Sequence, residues 1–167
     1  SRRNIEAHYD LGNDFFATFL DASMTYSSAV FDRPGLSLEA AQTAKYERLC
    51  RKLELQPSHH VLEIGSGWGS LAIHMAKTRG VTVKALNVSP EQLRVSRQRA
   101  KEAGVDHLVE FVEADYRTYP GKFDRVVSVE MFEHVRNHAR LFERIARWLK
   151  PDGKLFVHVF CHRHATY

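Results

Sequence analysis

From Val61 onward, short apolar runs alternate with helix-length amphipathic stretches, and this alternation limits the fold more than any other feature. Val61-Leu62-Glu63-Ile64 reads as a strand, Ser70 to Arg79 as a helix closed by Gly80, and Val81 to Val88 as a second strand. Ser89-Pro90-Glu91-Gln92 announces the next helix, with serine at the N-cap, proline at the first helical position and glutamine at the third. That helix is expected to reach Ala103, with Gly104 as its stop. Val109 to Ala114 and Phe123 to Val129 read as further strands. A helix from His138 to Leu149 follows, closed by Lys150-Pro151-Asp152-Gly153, and Leu155 to Phe160 reads as a fifth strand. Strands separated by helices imply βαβ units, hence an α/β, doubly wound fold with a mainly parallel sheet. Sheets of this type usually continue, so the expectation is a fold truncated after the fifth strand.

The first 56 residues differ in character. Asn4 to Leu20 mixes aromatics with scattered acids, and Asp32-Arg33-Pro34-Gly35 signals a turn. Leu38, Ala41, Ala44, Leu49 and Leu53 place an amphipathic helix over Leu38 to Leu55. Residues 1–56 are therefore expected as a helical lid or cap and 57–167 as a ligand-binding core, within one domain. A chain of 167 residues, 44% hydrophobic, is enough for one core. The formal charge of +4 carries no basic block, so neither a nucleic-acid partner nor a disordered tail is expected. It is weak support for peripheral contact with an anionic membrane. No apolar run approaches the roughly 20 residues that span a bilayer. Ser1-Arg2-Arg3-Asn4 reads as the start of a fragment, without a signal-peptide core. Cys50 and Cys161 have no CxxC spacing, and His134/His138 and His162/His164 lack metal-site context, so no metal is expected. The default compartment is cytoplasmic. Oligomeric state is not legible.

In an open parallel sheet, ligands bind outside the carboxyl ends of the strands, where the connection order reverses. Glu63-Ile64-Gly65-Ser66-Gly67-Trp68-Gly69 ends the first strand there, and glycines permit positive φ and close approach of a ligand. A dinucleotide fingerprint wants G-x-G-x-x-G and an acid ending the second strand. This chain has G-x-G-x-G, with Ser70 at the third glycine position and Asn87 near the place of the acid. Glu63 would repel a pyrophosphate but suits a ligand with a cationic end, an ammonium or a sulfonium. S-adenosylmethionine has both; a dinucleotide and a purely structural turn are the competing readings. Asn87 can exchange hydrogen bonds with ribose hydroxyls, and Asp115-Tyr116 can bond an adenine amine and flank the ring. Gln92 is either a ligand contact or simply half of a capping box.

Several separated motifs resemble the cyclopropane-fatty-acyl-phospholipid synthase family, which includes mycolic acid cyclopropane synthases and coclaurine N-methyltransferases. They are His8-Tyr9-Asp10-Leu11-Gly12-Asn13-Asp14-Phe15-Phe16, Tyr26-Ser27, Leu38-Glu39-Ala40-Ala41-Gln42, the segment Val61 to Gly69, and Glu130-Met131-Phe132-Glu133-His134-Val135. The resemblance implies a class I methyltransferase, Rossmann-like fold and S-adenosylmethionine as donor. It implies that Tyr26 and Ser27 reach the cofactor from the N-terminal segment, that Gly65 and Gly67 form the cofactor loop, and that Asn87 and Gln92 lie around the ribose. In a cyclopropane synthase, Glu133 and His158 would help to hold bicarbonate; the tyrosine completing that site would lie beyond residue 167.

Two departures stand out. The cyclopropane enzymes have cysteine where this chain has Ser28, and usually glycine where it has Glu130. An added carboxylate is unfavourable beside bicarbonate and favours a cationic acceptor. The expectation is therefore a coclaurine N-methyltransferase-like enzyme in which Glu130 and Glu133 attract an amine and His134 takes its proton, with His158 near the mouth. The alternatives are cyclopropane or methyl-branch synthesis on unsaturated acyl chains of lipids, and a non-catalytic cofactor-binding module. Trp68 and Trp148 are expected to pack, and His8 and Tyr9 to belong to the lid.

Overall fold

A computed structural model describes residues 12–161. His8, Tyr9, His162 and His164 lie outside the described residues. The elements are α1 (Asn13–Ala17), α2 (Leu38–Lys52), β1 (His60–Ile64), α3 (Ser70–Arg79), β2 (Thr82–Asn87), α4 (Pro90–Glu102), β3 (Val109–Glu113), β4 (Phe123–Val129), a 3-10 turn (Phe132–His134), α5 (His138–Trp148) and β5 (Leu149–His158). The strands form one sheet in the order β3-β2-β1-β4-β5, every pair parallel. The connection order reverses between β1 and β4, which places the expected crevice at the carboxyl end of β1.

Strand periodicity sorts the core into two layers. Val61, Val83, Ala85, Phe111 and Val127 face α2, α3 and α4, meeting Leu49, Leu53, Leu71, Met75 and Leu93. Leu62, Ile64, Leu86 and Val126 face the other way, against Phe132 and the α5 residues Leu141, Ile145 and Trp148. Removing a buried leucine from either layer costs about 2–5 kcal/mol. Helix α2, within the expected N-terminal cap, packs into the first layer, and residues 23–28 pass over the crevice.

Local signals set the helices. Ser37 and Ser89 accept hydrogen bonds from the Ala40 and Gln92 backbone N–H groups at the starts of α2 and α4. Gly80 closes α3 in the left-handed conformation, φ 64°. Three points depart from the expectation. The short helix α1 was not foreseen. The turn Lys150 to Gly153 does not precede the fifth strand but bulges within it: Leu149 pairs with Phe123, and Lys154 already pairs with Arg125. Lys150 Nζ holds both Asp124 oxygens at 3.0 Å across the bulge. The strand also ends at His158 rather than Phe160, because its partner stops at Val129 and Glu130 turns into the left-handed region, φ 46°.

Candidate active site

The loop after β1 is shaped by three glycines with positive φ: Gly65 at 84°, Gly67 at 51° and Gly69 at 81°. Their reasons differ. A Cβ on Gly69 would meet Phe111 at 2.7 Å and Ser96 at 2.9 Å, so packing excludes any side chain. A Cβ on Gly67 would meet nothing within 4 Å. Gly67 thus borders open space at the crevice, as a ligand cradle requires. Trp68 packs inward, as expected: it is 3% exposed, its ring centroid lies 5.0 Å from that of Phe16, and its Nε1 donates to Asn13 Oδ1 at 2.8 Å.

Asn87 and Gln92 are both buried beside this loop. The Asn87 amide donates to Gly67 O and to Gln92 Oε1, each at 2.9 Å, and its Oδ1 accepts from the Val88 and Ser89 N–H groups. All four of its hydrogen-bonding positions are engaged within the protein. Asn87 is therefore a brace for Gly67 in this conformation, not the free ribose contact expected. Gln92 is not half of a capping box either, since Asn87 Oδ1 takes the Ser89 N–H. Its Nε2 is buried without a hydrogen-bond partner among the described residues. Asp115 and Tyr116 lie just beyond β3. The Asp115 carboxylate is bonded by Arg117 Nε and the Arg117 N–H, so an adenine amine would share it. Tyr116 is half-buried, and burial raises its phenol pKa.

Residues 23–28 form a strap over the crevice. At one end Ser23 O accepts from Ser70 Oγ, at the N-terminus of α3. At the other end Glu130 Oε1 accepts from the Ser28 N–H at 2.9 Å and from Ser28 Oγ at 2.7 Å. Helix α2 holds the middle: Gln42 Nε2 donates to Thr25 O at 3.3 Å and to Ser27 O at 2.8 Å, and Tyr46 OH bonds Thr25 Oγ1. Strung between α3 and the end of β4, Tyr26 and Ser27 cross the carboxyl end of β1. The Tyr26 ring rests on Phe16, centroids 5.2 Å apart.

The acid cluster is only partly as expected. Glu130 meets His158, with Oε1 at 3.8 Å from Nε2, and Ser28 Oγ lies 3.2 Å from the same nitrogen. The two positions that depart from the family pattern therefore touch each other. Glu133 is elsewhere employed: its Oε1 accepts from the Phe160 N–H at 2.9 Å, while its Oε2 is buried without a partner among the described residues. His134 is exposed and makes no side-chain hydrogen bond or ion pair among the described residues. The histidine beside the acid is His158, not His134.

Two buried ionisable groups complete the site. Glu63 is 3% exposed, burial pushes its carboxyl up to about 8, and its Oε2 has no hydrogen-bond partner among the described residues. The Ala72 N–H, in the first turn of α3, opposes that rise. Lys45, on α2, is 4% exposed and donates to Ser27 Oγ at 2.5 Å. The sequence marked Ser28 only as a departure from the family pattern and did not single out Lys45 as a site residue. The signal for Lys45 was a lysine in register with Ala41 and Leu49 on the apolar face of the helix.

The orphaned Glu63 oxygen, the orphaned Gln92 donor and the open space at Gly67 fit a ligand with a cationic amino-acid end and a nucleoside. The family model described as mycolic acid cyclopropane synthetase matches residues 1–167. The chain is 45% identical over 166 residues to the tuberculostearic acid methyltransferase UfaA1 of Mycobacterium tuberculosis, a match covering 94% of this chain and 39% of that protein. It is 43% identical over 153 residues to the cyclopropane-fatty-acyl-phospholipid synthase of Escherichia coli, covering 90% and 39%. It thus spans about two-fifths of the length of these relatives. Among solved structures, mycolic acid cyclopropane synthase CmaA1 complexed with SAH and CTAB superposes with a TM-score of 0.87 at 34% identity, over 93% of this chain and 55% of that one. Coclaurine N-methyltransferase bound to N-methylheliamine and SAH gives a TM-score of 0.84 at 24% identity, over 94% and 49%, a likeness of fold alone.

Proposed function

Because the chain belongs to the mycolic acid cyclopropane synthetase family, we propose that it is the cofactor-binding part of an S-adenosylmethionine-dependent transferase acting on unsaturated acyl chains of lipids. The lipid acceptor takes precedence over the amine expected from sequence. Relatives above 40% identity carry lipid names, whereas the amine-methylating structure shares only the fold.

The observation that carries the reading is the Glu130 carboxylate, held by the Ser28 N–H and hydroxyl beside His158 at the mouth of the crevice. When bound, S-adenosylmethionine supplies an activated methyl carbon with a neutral thioether as its leaving group. An alkene that attacks this carbon becomes a carbocation, and a fixed carboxylate stabilises that charge. Glu130 then accepts the proton that the cation loses, with Ser28 orienting the carboxylate and His158 positioned to carry the proton away. Tyr26 and Ser27 on the strap, Gly65 and Gly67 in the loop, and Gln92 and Glu63 below it would hold the cofactor, with Asp115 and Tyr116 toward the base. Asn87 keeps the loop in shape.

Bicarbonate does not fit beside these residues. The Glu130 carboxylate already takes the contacts to Ser28 and His158, and a second anion there would be repelled. Glu130 also holds a left-handed backbone, which costs a residue other than glycine about 1–2 kcal/mol. Strain of this kind persists where the side chain has a task that the fold enforces.

The test supplies the protein containing this chain with methyl-labelled S-adenosylmethionine and vesicles of monounsaturated phospholipid. Label in the acyl chains is expected, at a rate that does not change when bicarbonate is purged. Glu130→Gln is expected to lower that rate by at least about 100-fold. Label appearing only on small amines would replace the lipid reading, and a rate that rises with bicarbonate would remove the role given to Glu130.

A further inference from the structure

Among the described residues, Lys45 is a buried cation with no anion at ion-pair distance. It is 4% exposed, and its only hydrogen-bond acceptor among the described residues is the neutral Ser27 hydroxyl. No carboxylate of those residues lies within ion-pair distance. Asp21 and Glu130 act on it only from longer range. Burying an ammonium in this way is costly unless a counter-charge arrives. Burial pulls its pKa down to about 8, against the opposing pull of Glu130 and Asp21.

The hydrogen bond also fixes the direction of Ser27. An ammonium offers only donors, so Ser27 Oγ must accept from it, and the serine proton turns elsewhere. Ser27 lies on the strap between its anchors at Ser70 and Glu130, above the carboxyl end of β1. Its carbonyl is pinned by Gln42, which leaves the hydroxyl as the group offered to the crevice. A hydroxyl polarised by a neighbouring cation is a strong donor to an anion. The N-terminus of α3, at the far anchor of the strap, favours the same charge.

We infer that Lys45 is a positioning residue which, through Ser27, selects a carboxylate at the amino-acid end of the cofactor. The inference rests on the cofactor reading above. It separates the two ends of that amino acid: the buried carboxyl of Glu63 serves the cationic group, and the Lys45–Ser27 pair serves the anionic one.

The experiment compares two probes by calorimetry. S-adenosylhomocysteine has the amino-acid end, while 5′-methylthioadenosine keeps the nucleoside and thioether and lacks that end. Lys45→Met is expected to weaken S-adenosylhomocysteine at least about tenfold, the worth of a charge-assisted contact, and to change 5′-methylthioadenosine by less than about twofold. Lys45→Arg should recover much of the loss. Ser27→Ala, which leaves the core helix untouched, should show the same selectivity if Lys45→Met does not fold. Equal weakening of both probes, or none for S-adenosylhomocysteine, overturns the inference while leaving the cofactor reading intact. Failure of the wild type to bind either probe overturns both.

Discussion

Glu63 shows how a single side chain can tie ligand binding to pH. Its carboxyl, buried under α3 and raised to about 8, carries a proton at pH 6.5. A cationic ligand beside it favours the ionised form and so drives that proton off. Cofactor binding at pH 6.5 is therefore expected to release close to one proton, read from calorimetry in buffers of different ionisation heat. The release should shrink as pH rises past 8, where the free protein has already lost the proton, and should vanish in Glu63→Gln. The sequence made Glu63 a candidate through its distance from the first glycine. It could not disclose that one carboxyl oxygen has no partner among the described residues, which depends on what α3 lays over it. The same holds for Glu130: its type and position were readable, but its contact with Ser28 joins residues 102 apart.

At the scale of elements, the glycine loop predicts a contrast between neighbours. Gly69→Ala drives a methyl into Phe111 and Ser96 at a φ of 81°, so overpacking adds to backbone strain, and a loss of about 2–5 kcal/mol is expected. Gly67→Ala meets no protein atom and suffers only the backbone cost of about 1–2 kcal/mol. It should fold, with a modestly lower Tm, yet lose most of its affinity for S-adenosylhomocysteine because its methyl enters the cradle. Chemical denaturation and calorimetry on the two variants separate these outcomes. Element boundaries were legible where a local residue sets them: Ser89 and Pro90 begin α4, and Gly80 ends α3. They were not where a partner strand decides. At the bulge in β5, Lys150 meets Asp124 of the partner strand, a pairing invisible to local pattern. Gln92 stayed open between cap and ligand contact for the same reason, since only the fold brings Asn87 to it.

For the molecule as a whole, the alternation of strands and helices was enough to anticipate the parallel sheet, because each layer is encoded by a repeating apolar pattern. What that pattern left unsaid is how the N-terminal strap reaches the crevice. The sheet also has a consequence in solution. Among the described residues β5 has no strand on its outer edge, and Leu155, Phe156 and Val157 are only partly buried. An open edge of this kind pairs readily with another chain. The 167-residue chain alone is expected to self-associate with rising concentration, measured by light scattering; an ideal monomer up to millimolar concentration would contradict this. No described helix is long and apolar enough to cross a membrane. The strap, finally, imposes a timetable on synthesis. A ribosome makes Ser28 first and Glu130 only 102 residues later, so the emerging N-terminal segment can grip α2 but not its second anchor. Chemical competence must then wait until synthesis has passed β4, and translation halted before Glu130 would release a product with α2, α3 and α4 but neither the proton acceptor nor the second anchor of the strap.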